Sequence, residues 1–211
     1  MCFDTMALGK TGFRSMDMRR AIIMATALPL AACGVNSVPT AEEAVNAKWG
    51  EVQNQYQRRA DLIPNLVATV KGFAGQEERV LTRVTQARAQ ATAINVTTDD
   101  LSDPATFQRF QGAQNQLTQA LGQLRTVVEA YPQLTSNQNF LSLQSQLEGT
   151  ENRITIARRD YNEAVQAYNT RIRTFPDAIG ARVFYGAKPK QSFQAQAGSE
   201  VAPSVDFGNG A

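Results

Sequence analysis

Whatever chemistry this chain performs, it performs without histidine. The 211 residues contain none, which removes the commonest general base and the commonest transition-metal ligand together. The only cysteines are Cys2 and Cys33, both ahead of any core, so the body offers no thiol nucleophile and no thiolate for a metal. Zinc is excluded on ligand supply, and no glycine-rich phosphate loop is present. The acidic pairs Glu77-Glu78 and Asp99-Asp100 are sequence neighbours, which point to different faces of a helix or sit in a loop. Neither belongs to the inward-facing Glu-x-x-His pattern of di-iron bundles. The run TTDDLSD at 97–103 is rich enough in carboxylates to consider calcium, but lacks the spacing and glycine of an EF-hand loop. The chain reads as a non-enzyme that carries no metal and no cofactor.

Two polar groups remain. Arg58, Arg59, Asp61 and Asn65 cluster in one segment, and Glu151, Asn152, Arg153, Arg158, Asn162 and Asn169 in another. Asn162 and Asn169 each follow a tyrosine and stand seven residues apart, which sets them on one side of a helix. Such residues can line a polar groove that accepts a peptide terminus or a partner's loop. They can also simply fix helix register, because one buried polar group is enough to specify pairing.

Cys33 is the one residue whose surroundings point to a covalent modification. Arg19 and Arg20 precede twelve uncharged residues, AIIMATALPLAA, and then the cysteine. A helix needs about 20 apolar residues to span a bilayer, and Pro29 interrupts this short run. A basic start, a short apolar stretch and small residues make the three-part pattern of a secretory signal. Leu30-Ala31-Ala32-Cys33 resembles a bacterial lipobox, which implies diacylglycerol on the Cys33 thiol and cleavage before it. An uncleaved anchor and a buried helix start are the alternatives. Residues 1–32 are thus expected to be a signal peptide, with translation starting at Met16 or Met18. Residues 33–39 would form a lipid-anchored linker. The two arginines hold the start of the leader inside, so the rest faces the periplasm. Gly34 after the cysteine resembles Gram-negative lipoproteins destined for the outer membrane. The formal charge of +2 also originates here: residues before Cys33 carry four basic and two acidic side chains, leaving 17 of each from Cys33 onward. A neutral body has no long-range attraction for nucleic acid or anionic lipid.

The elements that must position these residues read as helices from about residue 40. Phe140, Leu147, Ile154, Tyr161, Tyr168 and Phe175 recur at seven, with Leu143, Thr150, Ala157 and Ala164 as a companion row. A sustained heptad places both rows on one stripe facing a partner, in a helix of nearly forty residues. Leu66, Phe73, Val80, Ala87 and Ile94 repeat likewise, flanked by Ile63, Val70, Val84 and Ala91. Phe110, Leu117, Leu124 and Tyr131 make a third stripe, and Val45, Trp49, Val52 and Tyr56 a shorter first one. Asp103-Pro104 reads as an N-cap followed by proline at the first helical position, and Pro132 ends the third helix. Pro64, in DLIPN, is expected to mark a tight turn, with a kinked continuous helix as the alternative. Short connections make neighbours antiparallel, so the fold class is all-α, an antiparallel up-and-down bundle of about four long helices over 40–193. A disordered tail over 194–211 is expected to follow it.

Two long segments carry a family likeness. QYQRRADLIPNLVATVKGFAGQE, residues 55–77, and ENRITIARRDYNEAVQAYNTRIRTFP, residues 151–176, resemble the two signatures of the LemA family, and FYGAKPKQSF resembles its C-terminal segment. The resemblance implies a membrane-tethered antiparallel helical bundle whose molecular activity is not established. It also implies envelope proteins, TPM-domain proteins among them, as the partner class. Many members resemble single-span membrane proteins, so the lipobox here is a departure. The reading is therefore of a membrane-anchored, non-catalytic envelope scaffold that binds partners, with a peptide- or ligand-binding module as the alternative.

Overall fold

The computed structural model of the chain describes residues 36–195. The expected signal peptide, the Cys33 lipidation site and the tail from 196 lie outside those residues. Among the described residues the chain is built of helices and connecting segments: α1 (Ser37–Phe73), α2 (Glu78–Ala93), α3 (Pro104–Val128), the single turn α4 (Pro132–Thr135), α5 (Gln138–Arg171) and the short α6 (Asp177–Val183). A 3-10 turn over Asp100–Ser102 precedes α3.

Neighbouring long helices run antiparallel. Ser37, Lys48 and Arg59 of α1 meet Arg171, Asp160 and Glu151 of α5 in turn. The α2–α3 pair is likewise antiparallel, with Arg83 against Gln123 and Ala91 against Gln114. The two longest helices span about 55 and 50 Å at 1.5 Å per residue, so both reach the full length of the bundle. The cap expected from the sequence is present: the Asp103 carboxylate accepts from the amides of Ala105 and Thr106, both at 3.1 Å. At α5 the Asn137 side chain accepts from Asn139 and Phe140 at 3.0 and 3.1 Å.

Three boundaries differ from expectation. α1 begins at Ser37 rather than 40, with Pro39 in the first turn, where a missing N–H is tolerated. The last seam ends early: Phe175 lies beyond α5, 82% exposed. The third difference is the turn expected at Pro64, which does not exist. α1 is continuous through that residue, as in the alternative reading, and breaks at Ala74–Glu77 instead. Proline in a helix orphans the carbonyl four residues earlier, here that of Ala60. Arg88 of α2 donates its Nε–H to that oxygen at 2.7 Å, which removes the main penalty. The ring itself lies on the exposed face. Phe73, expected in the second seam, is half exposed next to the true break.

Two hydrophobic clusters fill the bundle end to end. One holds Trp49, Tyr56, Phe107, Phe110, Tyr161, Tyr168 and Phe193. The other holds Ile63, Leu66, Val70, Leu81, Val84, Leu117, Leu124, Val128 and Phe140. Four in-helix glycines, at 72, 112, 122 and 149, have open space where a Cβ would stand, so close helix approach does not account for them.

Candidate partner-binding site

Between the two clusters lies a polar layer centred on Arg59, a residue 1% exposed. Its Nη1 donates to the Glu151 carboxylate at 2.9 Å and to the Thr118 hydroxyl at 3.0 Å. Its Nη2 donates to the Gln114 side-chain oxygen. Gln114 Nε2 in turn donates to the Ala91 carbonyl at 3.3 Å, so all four long helices meet in this layer. The guanidinium also lies 5.1 Å from the centre of the Tyr56 ring. A buried charge is tolerated only when paired and hydrogen-bonded, and the sequence supplies partners from positions far apart in the chain. The remaining donor, Arg59 Nε, is buried without a partner.

The asparagines of α5 do something else. After α6 the chain turns at Gly186, whose φ of +55° favours glycine, and the Ala187 amide closes the turn on the Ala181 carbonyl at 3.0 Å. The segment then runs back along α5 as a strap. Asn169 donates Nδ2–H to the Lys190 carbonyl and accepts the Lys190 amide, both at 2.9 Å. Asn162 does the same for Phe193 at 3.0 and 2.9 Å. Each side-chain amide thus pairs with a main-chain amide as a neighbouring strand would. The spacing explains the match: seven helical residues rise about 10.5 Å, and three residues of extended chain cover about 10 Å.

The strap is fastened at further points. The Tyr161 hydroxyl donates to the Gln191 carbonyl at 2.8 Å, and the Gln191 amide donates to the Leu101 carbonyl at 2.7 Å. Lys190 is buried, its ammonium 2.9 Å from Glu42 of α1, 3.3 Å from the Thr98 carbonyl and over the Tyr168 ring. Phe193 inserts among Trp49, Phe107 and Tyr161, with ring centres 5.0–6.2 Å away, and Arg158 covers its outer face at 4.5 Å. Burial pushes the phenols here upward: Tyr168 to about 12, with Glu42 adding to the effect, and Tyr161 well above its ordinary range. Tyr56 is raised by burial too, against the opposing pull of Arg158 and Arg59.

The residues singled out from sequence therefore do not converge on one groove. Arg59 and Glu151 meet in the central layer, while Asn162 lies about 16 Å and Asn169 about 27 Å farther along α5. Arg158, Asn162 and Asn169 hold the strap. Arg58, Asp61, Asn65, Asn152 and Arg153 are exposed, Asp61 accepting only from Gln57 of its own helix. Missing from the sequence reading were Gln114 and Thr118, the partners of Arg59, and Lys190, Gln191 and Phe193 of the strap. The strap had one legible signal, an isolated phenylalanine in polar chain just after the helical period fades.

Among the grooves on the described residues, one is mainly apolar. α3 and α5 diverge over Leu121–Val128 and Phe140–Glu151, leaving an apolar trough of about 630 Å³ with Leu66 of α1 and Leu124 lining it. Leu121, Leu147 and Gln144 line its sides, and Arg125 stands 3.8 Å from Glu148 at the rim. Thr118, Glu151 and Asn152 at one end join it to the Arg59 layer. Among the described residues no group of three His, Cys, Asp or Glu side chains could hold a metal, and no helix is long and apolar enough to cross a membrane.

Against known proteins, the sequence pattern of the LemA family matches residues 48–207. Magnetosome protein MamQ 2 of Paramagnetospirillum magneticum is 27% identical over 157 residues, 67% of this chain and 58% of that protein. Magnetosome protein MamQ of Magnetospirillum gryphiswaldense is 26% identical over the same shares. Protein LemA of Metamycoplasma hominis is 24% identical over 124 residues, 59% of this chain and 52% of its own length. The chain thus spans between half and three fifths of the curated relatives it matches.

Proposed function

Because the chain belongs to the LemA family, as the match over residues 48–207 shows, we propose that it is a lipid-anchored, non-catalytic protein of the cell envelope that binds other proteins through its bundle. Acylation at Cys33 would hold it to a membrane facing the periplasm, in the outer membrane by the residue that follows the cysteine, with envelope proteins such as the TPM-domain class as partners.

The observation that carries the partner-binding part is the trough between α3 and α5. It is apolar, open along its length and set on rigid helices, the arrangement that takes an amphipathic helix. It differs from the asparagine site, whose bonds the chain's own strap uses. Photocrosslinkers at Leu121 and Leu147, in cells, are expected to trap one saturable envelope partner, and Leu121→Glu with Leu147→Glu to abolish the adduct. A trough that crosslinks to nothing, or an adduct indifferent to both charges, counts against it. For the anchor, the intact mass should correspond to a chain beginning at Cys33 with added lipid, and Cys33→Ser should stay uncleaved.

A second reading has its own support. Asn162 and Asn169 bind extended backbone, so a partner's peptide carrying an aromatic residue could exchange with the strap. Protection of the Lys190 and Phe193 amides from hydrogen exchange would then fall when such a peptide is added, and unchanged protection would dismiss this alternative.

A further inference from the structure

The end of the bundle that carries α6 exposes large apolar side chains that the fold does not use. Phe175, Ile179, Val183 and Phe184 are 82, 59, 69 and 69% exposed. The opposite face of α6, Gly180 and Ala181, is buried. Ile179 and Val183 stand four apart on one face of α6, and Phe175 lies two residues before that helix begins. The two phenylalanines alone present on the order of 300 Å², the size at which an exposed patch signals a contact.

Charge and chain connection identify the contact. Over residues 171–188 four basic side chains, Arg171, Arg173, Arg182 and Lys188, face a single acid, Asp177. That carboxylate is already taken by Arg171 at 3.6 Å and the Ser37 hydroxyl at 2.7 Å. Arg173, Arg182 and Lys188 are exposed near the apolar patch. Among the described residues the acids of the first turns of α1 at this end are Glu42, which pairs with Lys190, and Glu43. A body neutral on average is therefore basic at this end. The same end holds the start of α1, because Arg171 also donates to the Ser37 carbonyl at 3.1 Å. Cys33 lies only three positions before Asn36, at most about 10 Å of chain. A lipid on Cys33 must leave the bundle here.

We propose that this end is a second membrane contact. Phe175, Ile179, Val183 and Phe184 enter the interfacial layer of a bilayer, and Arg173, Arg182 and Lys188 lie on anionic headgroups. The position of the anchor rests on the lipoprotein reading above; the patch and its charge do not. Acyl chains give stable residence when a second signal joins them, and a basic apolar surface is such a signal. The bundle then stands upright on the membrane and carries the α3–α5 trough about 40 Å above it, since Leu66 lies 29 residues along α1 from Ser37.

The test uses the full chain in vesicles of phosphatidylcholine with phosphatidylglycerol, some of it carrying dibrominated acyl chains. An indole is introduced by Phe184→Trp or, at the far end, by Phe73→Trp, each compared with the parent containing Trp49. The expected result is loss of most of the added fluorescence at 184 and none at 73. Adding Ile179→Asp with Val183→Asp, or omitting phosphatidylglycerol, should weaken the quenching. Equal quenching at both positions, or none at either in a protein whose mass shows a lipidated Cys33, overturns the proposal. So does an unquenched protein that sediments as a dimer and is made monomeric by Ile179→Asp with Val183→Asp, which assigns the patch to a second copy. An unmodified Cys33 refutes the anchor reading alone, and the contrast between 184 and 73 on added vesicles still decides the patch.

Discussion

The two halves of the bundle are made of the same long helices and the same heptads, but their cores are of different kinds. On the α6 side of Arg59 the core is aromatic and directionally bonded: Trp49 donates to the Val96 carbonyl at 3.2 Å, Tyr161 to Gln191, and two asparagines pair with the strap. On the other side the core is mainly aliphatic, with Phe140 its one buried aromatic residue and the Tyr131 hydroxyl donating to Glu77 at 2.9 Å at its edge, and it is open between α3 and α5. Directional bonds specify one arrangement, whereas aliphatic packing tolerates repacking. The half nearer the chain's start is thus pinned by directional bonds, and the far half keeps an apolar groove between α3 and α5.

The largest expected effect comes from breaking the boundary between them. Arg59→Ala should cost about 3–5 kcal/mol, because it strands Gln114 and Glu151, and urea denaturation should register it as a shifted midpoint. Replacing Arg59, Gln114 and Glu151 together by Met, Leu and Leu should restore most of the loss. Next comes Phe193→Ala, at about 3 kcal/mol from the emptied aromatic site. Hydrogen exchange should then lose protection around Leu101–Phe110 and keep it at Ile63–Val70; uniform loss would mean the halves are not separable. Asn162→Ala should cost about 1–2 kcal/mol through the unpaired Phe193 amide and carbonyl, again on the strap side alone.

Arg88→Ala should cost about 1 kcal/mol by orphaning the Ala60 carbonyl, and nearly nothing in a Pro64→Ala background, where the helix can reclaim that oxygen. A double-mutant cycle reads the difference. Alkaline titration sharpens the comparison without any substitution. Tyr56, Tyr161 and Tyr168 of the aromatic half have phenols raised above 10 by burial, whereas the other half has one raised phenol, Tyr131, held up by its hydrogen bond to Glu77. Folding favours the protonated form, so their contribution is complete below pH 10 and lost as pH rises from 10 towards 12 and beyond. Near-ultraviolet circular dichroism should therefore report loss of the aromatic half first, with far-ultraviolet signal from the aliphatic half persisting.

Much of this architecture was legible. The first-stripe residues Val45, Trp49, Val52 and Tyr56 are all buried, as are Phe140, Ile154, Tyr161 and Tyr168 of the last. The cap at Asp103 is a local signal and was read locally. Pro64 was misread because its penalty is relieved by a side chain 28 residues away. The heptad of Leu66 and Val80 gave no warning, since its period happens to carry across the break at 74–77. Net charge misled in a related way: an average of zero concealed a basic end formed by residues 171–188.

Sequence alone determined the helical class, the seams, the Asp103 cap and the absence of histidine chemistry, because each depends on residue type and on spacing within a few turns. Tertiary structure alone decided which polar groups meet. Arg59 finds Gln114 and Glu151 across 55 and 92 residues, and Asn162 finds Phe193 across 31. A buried donor must be satisfied by whichever acceptor the fold brings near it, and no local pattern records that choice.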